Sequence, residues 1–124
     1  MHKNLMYICS MYSSELIKGT LKTIVLKLLS DNQKMYGYEI TQKVKELTGH
    51  KIQITEGALY PSLHAMETEG TLITETINIG KRVRKYYTLT KKGKGAAREK
   101  VSEFSDFMVT MKSLLDIKPN LTVG

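Results

Sequence analysis

Hydrophobic residues recur at the spacing of a helical face in the first half of the chain. Between Ser14 and Asp31 the apolar residues on one face are Ile17, Leu21, Ile24, Val25 and Leu28. Such a pattern predicts an amphipathic helix, and Ser13 or Ser14 can cap its start. A second set with helical spacing is Ile40, Val44 and Leu47. It predicts a helix over residues 36–48, after which residues 51–55 alternate as in one brief strand.

A third helical pattern begins at Thr55 and ends near Gly70. Its inner face consists of Leu59, Leu63 and Met66. Pro61 lies within this pattern, and a proline inside a helix removes a hydrogen bond and costs about 3 kcal/mol. Two interpretations stay open. Either Gly57, four residues earlier, eases the strain of a bent start, or the regular helix begins at Pro61, where proline is favoured.

Two strand-like segments, residues 72–79 and 83–89, lie on either side of Gly80. Glycine supplies the positive φ that a tight hairpin turn often requires. Along the second arm the residues that face one way are Val83, Lys85, Tyr87 and Leu89. Those that face the other way are Arg82, Arg84, Tyr86 and Thr88. Thr90 then caps a last helix, which is predicted to run from Lys91 to about Asp116.

The last helix carries a regular apolar seam. Its members, spaced 4-3-4-3-4, are Ala97, Val101, Phe104, Met108, Met111 and Leu115. Heptad spacing of this kind suits lengthwise packing on another helix. A helix of a second chain is favoured over the chain's own core, because so small a domain has little core left to cover the seam. These six residues are therefore the predicted dimer interface.

The order of these elements predicts the fold class. Three helices followed by a two-stranded hairpin form the arrangement of a winged helix-turn-helix, in which the hairpin is the wing. The prediction is a mainly α chain with a small β-hairpin (α+β) and a long C-terminal dimerisation helix. The expected parts are a loose N-terminal extension over 1–13, a winged helix-turn-helix DNA-binding domain over 14–90, a dimerisation helix over 91–116 and a frayed tail over 117–124.

Composition indicates one small domain with an uneven distribution of charge. The chain has 124 residues and a formal net charge of +7. Of its 19 Lys and Arg residues, seven lie between Thr71 and Gly95, where Glu75 is the only acid. A basic patch so localised favours an anionic polymer as partner over a merely solvated face. The single cysteine, Cys9, and the lack of an apolar run long enough for a signal peptide or a membrane span predict a soluble, cytoplasmic protein.

The residues expected to contact double-stranded DNA fall into two groups. Those of the recognition helix and the segments leading into it are Tyr36, Tyr38, Thr55, Glu56, Gly57, Tyr60, Pro61, Ser62 and His64. Those of the wing are Lys81, Arg82, Arg84, Lys85 and Tyr86. Small residues at a helix N-terminus let the backbone approach a phosphate, and hydroxyls can donate to phosphates or base edges. Tyr36, Tyr38 and Tyr87 are also interpreted as aromatics of the core or its edge, with hydroxyls reaching water.

Four stretches of the sequence resemble one known family. They read LIKGTLKTIVLKLLSD (16–31), YGYEI (36–40), EGALYPSLHAMETEG (56–70) and GKRVRKYYTLTKKGK (80–94). In this order and spacing the chain resembles the PadR-like family of bacterial transcriptional regulators. The resemblance implies a homodimeric winged-helix DNA-binding protein of the family's short form, because one helix follows the wing. Some members hold planar drugs between tryptophans, and this chain has no Trp, so that mode of ligand binding is not implied.

The sequence offers no catalytic constellation, and no enzyme activity, metal or cofactor is expected. The three histidines lie on separate segments, and neither zinc-ligand spacing nor a phosphate-binding glycine loop occurs. The predicted function is a sequence-specific transcriptional regulator, expected to be a repressor, that binds a pseudo-palindromic operator as a homodimer. A small apolar or aromatic effector in a cleft lined by Phe104, Met108 and Met111 is a further hypothesis. The alternatives are an RNA-binding module or a protein-interaction module on the same fold.

Overall fold

The computed structural model describes residues 10–117. The elements in chain order are α1 (Ser14–Asp31), β1 (Met35–Tyr36), α2 (Gly37–Leu47), α3 (Glu56–Thr68), β2 (Leu72–Ile79), β3 (Arg82–Leu89) and α4 (Lys91–Leu114). Within the described residues there are thus four helices and one three-stranded antiparallel sheet. The predicted class, mainly α with a small β-hairpin, is confirmed.

Side-chain hydroxyls determine where three of the helices begin. Each accepts a backbone N–H three residues further on: Ser13 from Leu16 at 3.3 Å, Thr55 from Ala58 at 3.2 Å and Thr90 from Gly93 at 3.0 Å. Caps of this kind stabilise a helix start by about 1 kcal/mol. The Thr90 hydroxyl also donates to the carbonyl of Gly70 at 2.7 Å. The start of α4 is therefore tied to the turn that follows α3.

Helix α3 continues through Pro61 without a break. The interpretation in which the regular helix begins at Pro61 is therefore wrong. The proline nitrogen has no hydrogen to donate to the carbonyl of Gly57, which lies one turn earlier. The predicted inner face is confirmed, because Leu59, Leu63 and Met66 are at most 1% exposed. Burial of three such side chains, at about 1.5–3 kcal/mol each, outweighs the cost of the proline.

Strand β1 is an element that the sequence pattern did not predict. Met35 lies opposite Tyr87 and Tyr36 opposite Tyr86 in an antiparallel pairing with β3. The second helix consequently begins at Gly37 and not at residue 36. A strand of two residues is too short to show alternation, and its partner lies far along the chain.

The brief strand predicted over residues 51–55 is wrong. The hydroxyls of Thr48 and Ser10 accept hydrogen bonds from two backbone N–H groups of this segment, at 3.1 and 2.6 Å. The N–H of Met11 donates to a carbonyl of the same segment at 2.9 Å. Backbone groups that are already paired need no neighbouring strand. The same contacts show that Ser10 and Met11, within the extension predicted to be loose over 1–13, pair with this segment. The part of that extension before residue 10 lies outside the described residues.

One hydrophobic core joins the first three helices to the inner face of the sheet. Its fully buried large side chains are Val25, Leu26, Met35, Ile40, Leu59, Leu63 and Met66. The strand order is β1-β3-β2, and β3 adds Tyr87 and Leu89 to this core. The alternation predicted for β3 is confirmed at these two residues. Val83 is 64% exposed, because the end of the hairpin extends beyond the core.

Gly80 and Lys81 form the two-residue turn of the hairpin, since Ile79 pairs with Arg82. The φ of Gly80 is +63°. A positive φ at the first of the two turn residues is typical of a type II′ turn, which matches the twist of the flanking strands. The glycine predicted for this turn therefore has the conformation that its position requires.

Helix α4 is buried only near its start. Gly93 and Ala97 are its buried residues, and Ala97 belongs to the chain's own core. The side chain of Ala97 is therefore covered within the chain and is unavailable to a partner, in contrast to its place in the predicted seam. The seam residues further along remain accessible, with Val101 37%, Met108 47% and Leu115 56% exposed.

The end of α4 lies at Leu114, close to the end predicted at about Asp116. The N–H of Ile117 donates to the carbonyl of Lys112 at 3.0 Å, which closes the last turn. The predicted frayed tail over 117–124 lies outside the described residues from 118 onward.

Candidate nucleic-acid interface

The first turns of α3 present an open face to solvent. Its exposed residues are Thr55, Glu56, Gly57, Tyr60, Pro61 and His64, while Ser62 is half-buried. A Cβ added at Gly57 would meet only the Oγ1 atom of Thr55, at 4.0 Å. An uncovered helix N-terminus has backbone N–H groups without helical partners and attracts anions. The predicted recognition residues therefore lie together, on a surface that a phosphate backbone can approach.

Tyr60 extends from α3 into a notch of about 360 Å³ beside the wing, the hairpin of β2 and β3. The notch is lined by Tyr36, Gly37, Tyr60, Val83, Arg84, Lys85 and Tyr87. The side chain of Tyr60 remains 42% exposed. Partial burial, followed by the charge of Glu56, raises the pKa of Tyr60 above its ordinary value. The phenol therefore stays protonated at neutral pH and can donate a hydrogen bond where α3 and the wing meet.

The outer face of the wing carries a stack of cations and rings. The guanidinium of Arg84 lies 4.1 Å from the ring centre of Tyr36, and the ring of Tyr86 meets that of Tyr36 edge-on at 5.4 Å. Cation–π contacts contribute about 0.5–1 kcal/mol at exposed sites. A side-chain hydrogen bond with Tyr86 is the main cause that raises the pKa of Arg84 above its ordinary value. The guanidinium of Arg84 and the ring of Tyr86 therefore both pack against Tyr36.

The four predicted wing cations fall into two pairs. Arg84 is stacked as described, and the Nζ atom of Lys85 lies 3.7 Å from Oε1 of Glu67 on α3. Within residues 10–117, no ion pair or ring contact involves Lys81 or Arg82 at the turn. The mutual repulsion expected of such crowded cations is thus eased for two of them by internal partners. The two at the tip remain available to an external anion.

Sequence and structure comparisons decide the family. The sequence profile of the Transcriptional regulator PadR-like family matches residues 25–99. The chain belongs to the PadR-like family. It is also similar to Transcriptional regulator Rv3488 of Mycobacterium tuberculosis, with 32% identity over 85 residues that cover 68% of this chain and 76% of the relative.

Solved structures of PadR proteins share the fold of this chain. A PadR family transcriptional regulator from Eggerthella lenta superposes with a TM-score of 0.69 at 35% identity, over 84% of this chain and 88% of the other. Bacillus subtilis PadR in complex with operator DNA superposes with a TM-score of 0.59 at 33% identity, over 64% of this chain and 45% of that longer chain. The PadR-like chain is thus a transcriptional regulator with the winged-helix fold.

Tyrosines 36, 38 and 87 occupy three different environments in this PadR-like chain. Tyr87 is 4% exposed and belongs to the core, as predicted. Tyr36 is half-buried at the edge of the sheet, where its backbone N–H donates to Oε1 of Glu39 at 3.2 Å. Tyr38 is 53% exposed on the first turn of α2. It lies outside the core and is open to a ligand.

Two residues of the PadR-like site were missed by the sequence analysis. The Nζ atom of Lys34 lies 5.4 Å from the ring centre of Tyr86 and 3.4 Å from Oε1 of Glu75. Gly37 lines the notch beneath Tyr60. Neither residue forms part of a charge run or a periodic pattern. Their roles follow from the pairing of β1 with β3, which the sequence did not predict.

The predicted dimer seam of the PadR-like chain borders a groove of about 510 Å³ between α1 and α4. Its mostly apolar lining includes Leu16, Gly19, Phe104, Phe107, Met108 and Met111. Phe104 and Phe107 contact each other at 6.4 Å between ring centres. Three of the predicted seam residues therefore face the same groove, and the first helix contributes its opposite wall.

Other kinds of site are not indicated by the part of the structure described. Across residues 10–117, no group of three or more His, Cys, Asp or Glu side chains is placed to hold a metal ion. In the same range, every helix is too short or too polar to cross a membrane. The PadR-like family is one of transcriptional regulators and not of enzymes.

Proposed function

We propose that the chain is a homodimeric repressor that binds a pseudo-palindromic operator. The observation that supports this most directly is the notch in which Tyr60 of α3 lies beside Arg84 and Lys85 of the wing. A helix and a hairpin that share one surface can engage a groove and its flanking backbone at the same time. The operator complex of Bacillus subtilis PadR, a structure similar to this chain, supports the same interpretation.

In this proposal α3 enters the major groove with its first turns. The hydroxyls of Tyr60 and Ser62 donate to base edges or phosphates, and the bare backbone at Gly57 permits close approach. Lys81 and Arg82 at the tip of the wing neutralise phosphates beside that groove. Arg84 follows along the outer face, together with Tyr86. Tyr38 is exposed at the start of α2 and extends the contact on that side.

A second copy of the chain supplies the other half-site. In the seam from Val101 to Leu115, the side chains of Val101, Met108 and Leu115 are exposed and those of Phe104 and Met111 are half-buried. Burial of these side chains against a second α4, with α1 contributing, is favourable at roughly 25 cal/mol per Å² of apolar surface. A twofold dimer of this kind places its two recognition helices about one helical turn of DNA, or ~34 Å, apart.

Repression can be relieved by a small apolar or aromatic effector. The groove between α1 and α4 is lined by Phe104, Met108 and Met111, and methionine side chains adapt to ligands of varied shape. An effector that binds there alters the packing of α4 and with it the distance between the two recognition helices. Planar aromatic compounds should then raise the melting temperature and lower the affinity for the operator. A compound set that changes neither quantity would remove the effector from the proposal.

Selection of bound sequences from a random duplex pool, followed by footprinting, tests the proposed function. The expected result is an inverted repeat whose half-sites lie about 10–10.5 base pairs apart, or a multiple of that distance. Single-stranded RNA serves as the competitor, because an RNA-binding module would prefer it. Enrichment of no duplex sequence, or displacement of the duplex by equimolar RNA, would contradict the proposal.

A further inference from the structure

The backbone conformation at position 37 does not require a glycine. Gly37 is the first residue of α2 and is buried. Its φ lies outside the left-handed region that favours glycine, so any residue could adopt this conformation. Glycine is also less favourable than alanine in a helix. The reason for a glycine at this position must therefore lie in what surrounds it.

The space next to Gly37 is filled by the phenol of Tyr60. A Cβ added at Gly37 would overlap the Tyr60 hydroxyl and would lie 2.6 Å from Cζ and 2.8 Å from Cε1 of the same ring. Carbon atoms that are not bonded pack at about 3.5–4.0 Å. All three of these atoms belong to the far end of one side chain. A residue larger than glycine would therefore displace the Tyr60 ring and leave the backbone in place.

Tyr60 connects three elements through this ring. The side chain starts on α3, ends against the first residue of α2 and shares the notch with Arg84 and Lys85 of β3. Burial is the main cause that raises the pKa of Tyr87, and Tyr60 is the next. Tyr60 and Tyr87 both line the notch. The ring position thus determines where the Tyr60 hydroxyl lies relative to the cations of the wing.

We infer that Gly37 is a positioning residue of the DNA-binding surface, because its missing Cβ admits the Tyr60 phenol to the notch and holds its hydroxyl between α3 and the wing. This inference rests on the proposed DNA-binding function and adds to it a residue that contacts no DNA itself. A side chain at position 37 sends the ring toward solvent, since Tyr60 is already 42% exposed. The hydroxyl then loses its fixed place beside Arg84.

A double-mutant cycle on duplex affinity tests the inference. Gly37→Ala should weaken binding of the selected duplex about tenfold, as expected for the loss of one weak hydrogen bond to DNA from each subunit of the dimer. In a Tyr60→Ala background the same substitution should change affinity less than twofold, because no ring remains to be displaced. Gly95→Ala is the matched control, since an added Cβ there would meet only Arg98, at 3.9 Å. It should leave affinity within twofold of the wild type.

The ring signals of Tyr60 in a nuclear magnetic resonance spectrum provide a readout that needs no DNA. Tyr60→Phe identifies these signals, and Gly37→Ala should shift them and lower the pKa of Tyr60 toward its ordinary value. Unchanged ring signals, or an equal loss of affinity with and without Tyr60, would overturn the inference. If the wild-type chain binds no duplex at all, the proposed function fails and this inference fails with it. Duplex binding with unchanged ring signals overturns the inference alone.

Discussion

The winged-helix body and helix α4 differ in how much of their apolar surface is exposed to solvent. In the body, residues 10–90, large apolar side chains cover one another, and Leu26 and Leu63 are both 0% exposed. On α4, Phe107 is 53% and Leu114 is 73% exposed. Monomeric soluble proteins seldom leave a contiguous apolar patch of large size uncovered. The body thus completes its own core, whereas most of α4 does not.

Because of this difference, we expect the folding of each chain and the association of two chains to depend on different residues. Helix α4 is anchored to the body at Gly93 and Ala97, whereas its apolar residues from Val101 onward are exposed or half-buried and can contact a second chain. Substitutions in the body should therefore change the free energy of unfolding of each chain. Substitutions further along α4 should change how chains associate. The basic wing belongs to the body but contributes little to its stability, so its substitutions should change mainly the binding of DNA.

Leu63→Ala should cause the largest loss of stability. Its side chain is fully buried among the helices of the body, and truncation of such a residue costs about 2–5 kcal/mol. The measurement is urea denaturation at a constant chain concentration, because association also adds to apparent stability. Leu47→Ala is the control, since Leu47 is 67% exposed and its truncation should cost less than about 0.5 kcal/mol. Equal losses in the two variants would contradict a core located in the body.

Gly93→Ala and Gly95→Ala should change stability in opposite directions. An added Cβ at Gly93 would overlap the carbonyl oxygen of Thr71 and lie 3.2 Å from Cδ2 of Leu89. Overpacking against backbone costs about 1–3 kcal/mol, so this variant should loosen α4 from the body. At Gly95 the added Cβ would make only an ordinary contact with Arg98, at 3.9 Å, and alanine should stabilise the helix by up to about 1 kcal/mol. A Gly93→Ala variant that unfolds at the same temperature as the wild type would show that α4 is not anchored at Gly93.

Met108→Glu should dissociate the dimer while leaving the body folded. The substitution places a charge on the seam, where burial of an unpaired charge is costly. Sedimentation at micromolar concentration should show a dimer for the wild type and a monomer for the variant. Thr110→Glu is the control, because Thr110 is exposed on the same helix and lies off the seam. A monomeric wild type, or dissociation of both variants, would contradict assembly through this seam.

The parts of the fold that could be predicted from the sequence depend on neighbours along the chain. The start of α1 follows from the Ser13 cap, and the inner face of α3 follows from the spacing of Leu59, Leu63 and Met66. Strand β1 could not be predicted, because Met35 pairs with Tyr87 in the distant strand β3. The strand expected at 51–55 was wrong for the same reason, since Ser10 occupies its backbone groups from elsewhere in the chain.

The sequence predicted which residues belong to the candidate site but not how the fold arranges them. Charge alone identified the wing cations. Lys85 differs from the tip residues because it lies near Glu67, and this contact depends on how α3 packs against the sheet. No sequence pattern indicated that Gly37 lies under Tyr60, because that contact joins two helices. Charged residues and residues that recur at regular spacing can be recognised in a sequence. A close contact between side chains of two different helices or strands cannot.

The wing substitutions should have the smallest effect on folding and a clear effect on DNA binding. Replacement of Lys81, Arg82, Arg84 and Lys85 by Gln removes three exposed charges and the half-buried Arg84, and surface contacts of such charges contribute about 0–1 kcal/mol each to stability. Each cation that neutralises a duplex phosphate contributes about −0.9 to the slope of log affinity against log salt. Lys18→Gln with Lys27→Gln on α1 is the control, since both residues are exposed and lie outside the proposed DNA-binding surface.

The salt dependence of duplex affinity tests the central claim most directly. It is measured on the selected site and on a scrambled duplex, for the wild type, the quadruple Gln variant and the α1 control. Two phosphate contacts per wing predict that the quadruple variant flattens the slope by roughly four units across the dimer on both duplexes. The α1 control should keep the wild-type slope. A quadruple variant that keeps the wild-type slope on both duplexes would show that the wing does not bind the DNA backbone.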